Sequence, residues 1–362
     1  MIFPSCNLKY INTFFPEYKK YIRRKQIFLV FLVFLCVVLF FASISLGAVN
    51  ISVDSVVKTL FGIETMPQYQ NIINNIRLPH SLAALIAGTG LAISGAVMQA
   101  ILRNPLGSPF TLGISQAGAF GAAIAIMFIG TGVMQSTQVG SVTVTNPFLT
   151  IVLAFAACMI SASVIILIAR FYSTSPEVMV LVGVALGSLF SAGTMFLQYF
   201  ADDVQLAAIV FWSFGDVGRA GWPEVAIMAF TVIPATLFFI LNRWNYNAIE
   251  AGDETAKSLG VKVEIVRISG MIVASIITAT IVSFLGIIAF VGLISPHIVR
   301  RMIYDDYRFV IPASCLCGAA LLLLSDTAAR LMLKPHVLPV AILTSFIGGP
   351  AFIYLLLSKR VR

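Results

Sequence analysis

Apolar residues in this chain come in long runs separated by short polar stretches. The runs fall near 27–48, 80–101, 113–130, 147–169, 178–200, 223–241, 265–297, 309–329 and 338–357. About twenty residues at 1.5 Å each cross a hydrocarbon core about 30 Å thick. The pattern predicts membrane-spanning α-helices, because a transmembrane β-barrel shows short alternating segments instead. The run 265–297 is too long for one upright helix and has no polar break. Lys262 and Arg267 stand at its start, and Arg300, Arg301 and Arg308 follow it. With both clusters on one side, the chain must cross twice there. Gly286, Gly292 and Pro296 supply the breaks. Each half is expected to keep roughly 15 residues, too short to span alone and so in need of protein cover. The expected fold class is all-α, a polytopic membrane protein with ten transmembrane helices.

Charge orients the bundle. With the N-terminus inside, ten spans place 18 of the 23 Lys and Arg residues on the cytoplasmic side, including Lys359, Arg360 and Arg362. Lys58, Arg77, Arg219, Arg330 and Lys334 fall outside or at the outer interface. Nine spans would expose the C-terminal cluster, against the positive-inside tendency. The basic run Lys19–Lys25 resembles the start of a signal peptide. However, the apolar run Ile27–Ala48 exceeds the usual apolar region of about 7–15 residues, and Leu46 suits cleavage poorly. It is read as an uncleaved first span. The expected organisation is a cytoplasmic tail, 1–26, and one transmembrane domain, 27–362, with a polar cytoplasmic loop at about 243–267.

Composition agrees with this reading. Apolar residues make up 59% of the chain, charged residues 10%, and mean hydropathy is +0.98, too little charge to cover a soluble surface. The net charge of +8 is explained by topology, and nucleic acid is not an expected partner. Cys6, Cys36, Cys158, Cys315 and Cys317 lie mostly in apolar runs, without redox or zinc spacing. They read as small core residues. Clusters such as Gly88-Thr89-Gly90 and Ser94-Gly95-Ala96 let helix backbones approach closely.

The chain has no G-x-x-x-x-G-K-[ST] motif, so the usual phosphate-cradling loop is missing. It has no H-E-x-x-H and only three histidines, His80, His297 and His336, widely spaced. No catalytic residue, metal or cofactor is expected. An intramembrane enzyme would need a paired nucleophile and base, and Ser295 near His297 is the only hint. An ion-coupled secondary transporter, a rival of another class, would carry acids deep in its helices. Only Asp326 approaches this. An externally powered transporter fits better. In the 243–267 loop, Asp253, Glu254 and Lys257 fall at i, i+1 and i+4, and Leu259-Gly260 makes a helix stop. The short helix so defined can press into a groove on a partner.

Four stretches, in order from about 77 to 357, resemble the iron-siderophore, haem and cobalamin ABC transporter permeases. The first holds Arg77-Leu78-Pro79-His80, Ser94-Gly95-Ala96-Val97-Met98-Gln99 and Arg103-Asn104-Pro105-Leu106-Gly107. The second runs from Ser173-Thr174-Ser175 to Gly183-Val184-Ala185-Leu186-Gly187. The third is Gly252-Asp253-Glu254 with Ala256, Leu259 and Gly260. The fourth runs from Gly286 through Ser295-Pro296-His297 to Asp326, Arg330, Leu338-Pro339-Val340 and Gly349-Pro350. The resemblance implies ten helices per subunit and a homodimer, or a heterodimer with a paralogous permease, in membrane lipid. It also implies two cytosolic ATP-binding subunits and an extracytoplasmic substrate-binding protein. The cargo would be a ferric chelate, with haem or cobalamin as alternatives, and the location a prokaryotic plasma membrane with both termini cytoplasmic. By resemblance, Asn104, Leu106, Thr174 and Ser175 form the cytoplasmic gate. Gly252, Asp253, Glu254, Ala256, Leu259 and Gly260 couple to the ATPase. Arg77, His80 and Arg330 dock the binding protein. The sequence departs from the family pattern where His80 replaces a second arginine and Val337 a glutamate.

Overall fold

The computed structural model describes residues 16–63, 66–129, 147–171, 175–333 and 336–357. Helices dominate, with no strand among the described residues. Helix α1 (Pro16–Ser45) is followed by the short α2 (Val53–Leu60) and α3 (Pro67–Ile72), and a π-helical turn, Ile73–Arg77, leads into α4 (Leu78–Ile101). Next come α5 (Ile114–Ile129), α6 (Pro147–Phe171), α7 (Pro176–Phe200) and the short α8 (Asp203–Ser213). A tight turn at Val217–Arg219 precedes α9 (Trp222–Leu241). The short α10 (Arg243–Glu250) and α11 (Asp253–Ser258) precede α12 (Val263–Leu285), α13 (Val291–Ile303), α14 (Tyr307–Met332) and α15 (Val340–Leu357). Among the described residues, seven helices are long and apolar enough to cross a membrane. Helices α5, α13 and α15 occupy the remaining three expected spans, so each of the ten has a helix.

Helix α4 is the axis of the bundle, packed by α9, α12, α13 and α14 and buried along nearly its whole length. Its small residues make this possible. A Cβ on Gly95 would overlap the Gly292 carbonyl of α13, and one on Gly88 the Gly318 carbonyl of α14. Both obstacles are backbone, which cannot rotate aside. Gly95→Leu should therefore cost about 1–3 kcal/mol or more through overpacking. A thermal melt of the detergent-solubilised protein checks this; an unchanged midpoint would contradict the close approach.

The 265–297 run breaks once, as expected, but unequally. Helix α12 keeps 23 residues and α13 has 13, in place of two halves of similar length. The break falls where Gly286 adopts φ +79 and Phe290 φ +67. The last carbonyls of a helix need outside partners. Arg219 supplies them to two helices together, donating to Phe214 O at 2.7 Å and Trp212 O at 3.1 Å beside α8, and to Leu285 O at 3.4 Å on α12. Of the two, α13, about 20 Å long, is shorter than the membrane, and most of it is buried.

Helix α1 begins at Pro16, inside the segment read as a tail, while residues 1–15 lie outside the described set, as do Lys334 and the C-terminal basic cluster. The basic run extends the helix because Lys25 is buried against Asp306, 3.4 Å away.

Candidate functional site

One end of the bundle carries α10, α11 and the loop after α4. Helix α11 starts after Gly252, at φ +119, and stops at Leu259-Gly260, where Gly260 has φ +83. Six residues cannot hold a helix by themselves. Two anchors seat it: Ala256 is fully buried, and Asp253 meets the guanidinium of Arg267 through both oxygens, at 3.0 and 3.1 Å. Glu254 and Lys257 point away from the bundle, and Leu259 is 70% exposed. The spacing read from sequence thus forms a short helix with one seated and one outward face.

Arg267 is only 2% exposed, and its Nε donates to Ile101 O, at the end of α4, at 2.8 Å. The chain then turns through Arg103, whose φ of +45 lies in the left-handed region rare for non-glycine residues. Asn104 N donates to Gln99 O at 3.2 Å, and Asn104 Oδ1 accepts from Leu106 N at 2.9 Å. Thr111 Oγ1 donates to Leu106 O at 3.0 Å. The loop is therefore stiff, with Leu106 43% exposed at its tip. Ser175 caps α7, its hydroxyl accepting from Val178 N at 3.4 Å. Thr174 lies outside the described residues. The segment between α4 and α5 meets α7 where Leu112 and Gly113 pack on Gly183 and Gly187.

A second network at this end was not visible in the sequence. Asp306 binds Arg308 at 2.7 Å and Lys25 at 3.4 Å, and Tyr307 N donates to Asn247 Oδ1 of α10 at 2.8 Å. Tyr307 Oη accepts from Arg300 at 2.6 Å and donates to Glu250 at 3.3 Å. This fixes α10, beside α11, to α14 and α1. Burial pushes the Asp306 carboxyl up, but hydrogen bonds from Arg308 and the charges of Lys25 and Arg308 outweigh it and hold it at about 2. A depressed carboxyl stabilises the fold above its ordinary value of 3.8 and loses that contribution as pH falls through about 2. Protection against hydrogen exchange in 243–250, relative to an unstructured peptide at the same pH, should therefore hold down to pH 4 and fall between pH 4 and 2. The Asp306→Asn variant should show fast exchange already at pH 7, and a wild-type-like profile would contradict the role.

At the opposite end, Arg77, His80 and Arg330 are engaged within the chain. Arg77 is 6% exposed and spends its guanidinium on carbonyls: Ile44 O at 2.7 Å, Ser45 O at 2.9 Å and Val49 O. Arg330 binds Asp326 at 2.9 Å and Ser43 Oγ at 2.7 Å. His80 is half-buried, facing the Gly218 backbone and the carboxylates of Asp216 and Asp326. Arg77 and Arg330 therefore fasten the end of α1, which has orphan carbonyls to satisfy, instead of standing out as surface cations.

The polytopic helical bundle has the fold of an ABC transporter permease. A family model for the FecCD transport family matches residues 35–358, and the chain belongs to that family. It is 52% identical over 350 residues, 95% of this chain and 99% of the relative, to a Methanocaldococcus jannaschii protein provisionally named ABC transporter permease MJ0087. It is 33% identical to the hemin transport system permease HmuU of Yersinia pestis, covering 92% of this chain and 96% of that one. It is 35% identical to the Fe(3+)-citrate import permease YfmE of Bacillus subtilis, with the same coverages. An inward-facing structure of a transporter provisionally classed as metal-chelate type superposes with TM-score 0.79 at 29% identity, over 91% of this chain and 98% of that one. The chain is thus a multi-pass membrane protein of a prokaryotic plasma membrane.

Proposed function

We propose that this chain is the permease subunit of an ABC importer for ferric chelates of the iron-siderophore type, with haem or cobalamin as alternative cargoes. A separate ATPase powers it, and an extracytoplasmic binding protein delivers the cargo. The observation that carries this reading is α11, which presents Glu254 and the exposed Leu259 to a partner while Arg267 ties its first turn to the end of α4, just before the gate loop. Leu259 and Glu254 stand on the outward side of the helix, where a partner can reach both. Glu254 and Leu259 meet the ATPase, Asp253 and Ala256 seat the helix, and Gly252 and Gly260 set its turns. Asn104, Leu106, Thr174 and Ser175 narrow the path between two permease subunits. The end carrying Arg77, His80 and Arg330 receives the binding protein, with both arginines holding the end of α1 in place for it. Related permeases for hemin and ferric citrate support the cargo class.

In this reading the α10–α11 end and both termini are cytoplasmic. A C-terminal alkaline phosphatase fusion should be inactive and a C-terminal fluorescent protein bright; the reverse would mean an odd number of crossings. To test the function, the complex is purified with its ATPase and mixed with binding protein loaded with ferric hydroxamate, haem or cobalamin. Hydrolysis should rise most with the ferric chelate. A stronger response to haem or cobalamin would reassign the cargo, and no response to any would overturn the importer reading.

A further inference from the structure

We propose that Arg267 is a positioning residue that delivers movement of the ATPase-facing helix to the cytoplasmic gate. The inference rests on the reading of α11 as the ATPase contact.

Arginine stays charged under all ordinary conditions. A guanidinium that is 2% exposed must therefore keep a carboxylate, and removing one partner of such a pair is costly. Here the carboxylate is Asp253, on the first turn of the helix that would touch the ATPase. The same guanidinium gives its Nε to Ile101 O, two residues before Arg103 turns the chain into the gate loop. One rigid planar group thus links three elements: α11 through Asp253, α4 through Ile101, and α12, which carries Arg267. Its fork geometry fixes the angle between the two hydrogen-bond directions, so a shift of Asp253 is felt at Ile101.

The flanking backbone fits this use. Gly252, at φ +119, lies immediately before Asp253, and Gly260, at φ +83, follows Leu259, so α11 has a glycine at each end about which it can pivot. By contrast, α10 is fixed by Asn247 and Glu250 to the Tyr307 network. The gate loop is internally hydrogen-bonded from Asn104 to Thr111 and joins α4, directly after Ile101, through the Gln99 and Ala100 carbonyls. A pull at Ile101 therefore reorients the loop as a unit and does not merely loosen one residue.

Lysine at position 267 keeps the charge for Asp253 but cannot also supply the second, angled donor to Ile101. Arg267→Lys should leave α11 seated and ATPase bound while weakening the link to α4. The measurement is ATP hydrolysis and chelate uptake in the same proteoliposomes, containing permease, ATPase and loaded binding protein. Hydrolysis should stay within about twofold, and uptake per ATP should fall on the order of tenfold, a usual size for coupling between two sites. Asp253→Glu, which keeps the charge but displaces its oxygens, should lower uptake per ATP in the same direction. Combined with Arg267→Lys, it should add little, because both act through one contact.

An unchanged uptake-to-hydrolysis ratio in Arg267→Lys would overturn the proposal, as would strictly additive effects in the double variant. If Arg267→Lys does not assemble, Asp253→Glu alone decides by the same ratio. Failure of the underlying reading looks different: the ATPase would then co-purify unchanged with a permease carrying Leu259→Asp and Glu254→Lys.

Discussion

Leu259→Asp combined with Glu254→Lys should release the ATPase from the permease while leaving the bundle folded. Leu259 is 70% exposed in the isolated chain and Glu254 also faces outward, so neither change disturbs internal packing. In the complex, burying a leucine is worth about 1.5–3 kcal/mol. Placing an unpaired carboxylate in the same pocket adds a desolvation cost. Together they should lower affinity on the order of 100-fold, since each 1.4 kcal/mol is about tenfold. Co-purification of tagged permease with the ATPase reads the effect directly, and circular dichroism confirms that helix content is kept. Wild-type co-purification would show that α11 is an ordinary solvated turn.

The second large effect concerns Arg77. Arg77→Met should remove the side-chain donor to the carbonyls of Ile44 and Val49 and leave Ser45 O only the N–H of Ile51. A buried unsatisfied polar group costs about 1–3 kcal/mol, and Ile44 O is the one left both buried and without a donor, so the total is on the order of 2 kcal/mol. The end of α1 should loosen, and proteolysis near 46–52 should speed up. Arg77→Lys separates this role from docking. A docking cation tolerates lysine because the charge remains, whereas a three-carbonyl clamp needs the guanidinium fork. Loss of stability in both variants is expected. Stability retained in both, with binding-protein affinity lost only in Arg77→Met, would restore Arg77 as a docking charge.

These residues show what the sequence carried and what it did not. Apolar run length announced the long helices because membrane thickness fixes their size. The double crossing at 265–297 was legible from length and flanking charge. Its asymmetry was not, because it depends on where Arg219 caps α12, and Arg219 lies 66 residues from Leu285 in sequence. Helix α8 went unforeseen although a signal was present: Asp202 and Gln205 form a capping box, each accepting a backbone N–H of the other. The outline of α11 followed from the i, i+4 charges and Leu259-Gly260. Its tether did not, since nothing in the spacing of Asp253 and Arg267 says that they pair, or that Arg267 also reaches the end of α4. Arg77 and Arg330 looked like surface cations because a sequence shows charge but not the carbonyls a helix end must satisfy.

Uptake of a radiolabelled ferric chelate into sealed proteoliposomes tests the central claim most directly. The vesicles contain permease with its ATPase, and binding protein is supplied on the opposite side from the nucleotide. Uptake should require ATP on the ATPase side, continue when ion gradients are collapsed, and stop when the ATPase is omitted. Uptake by the permease alone, driven by a proton or sodium gradient and indifferent to ATP, would contradict the account.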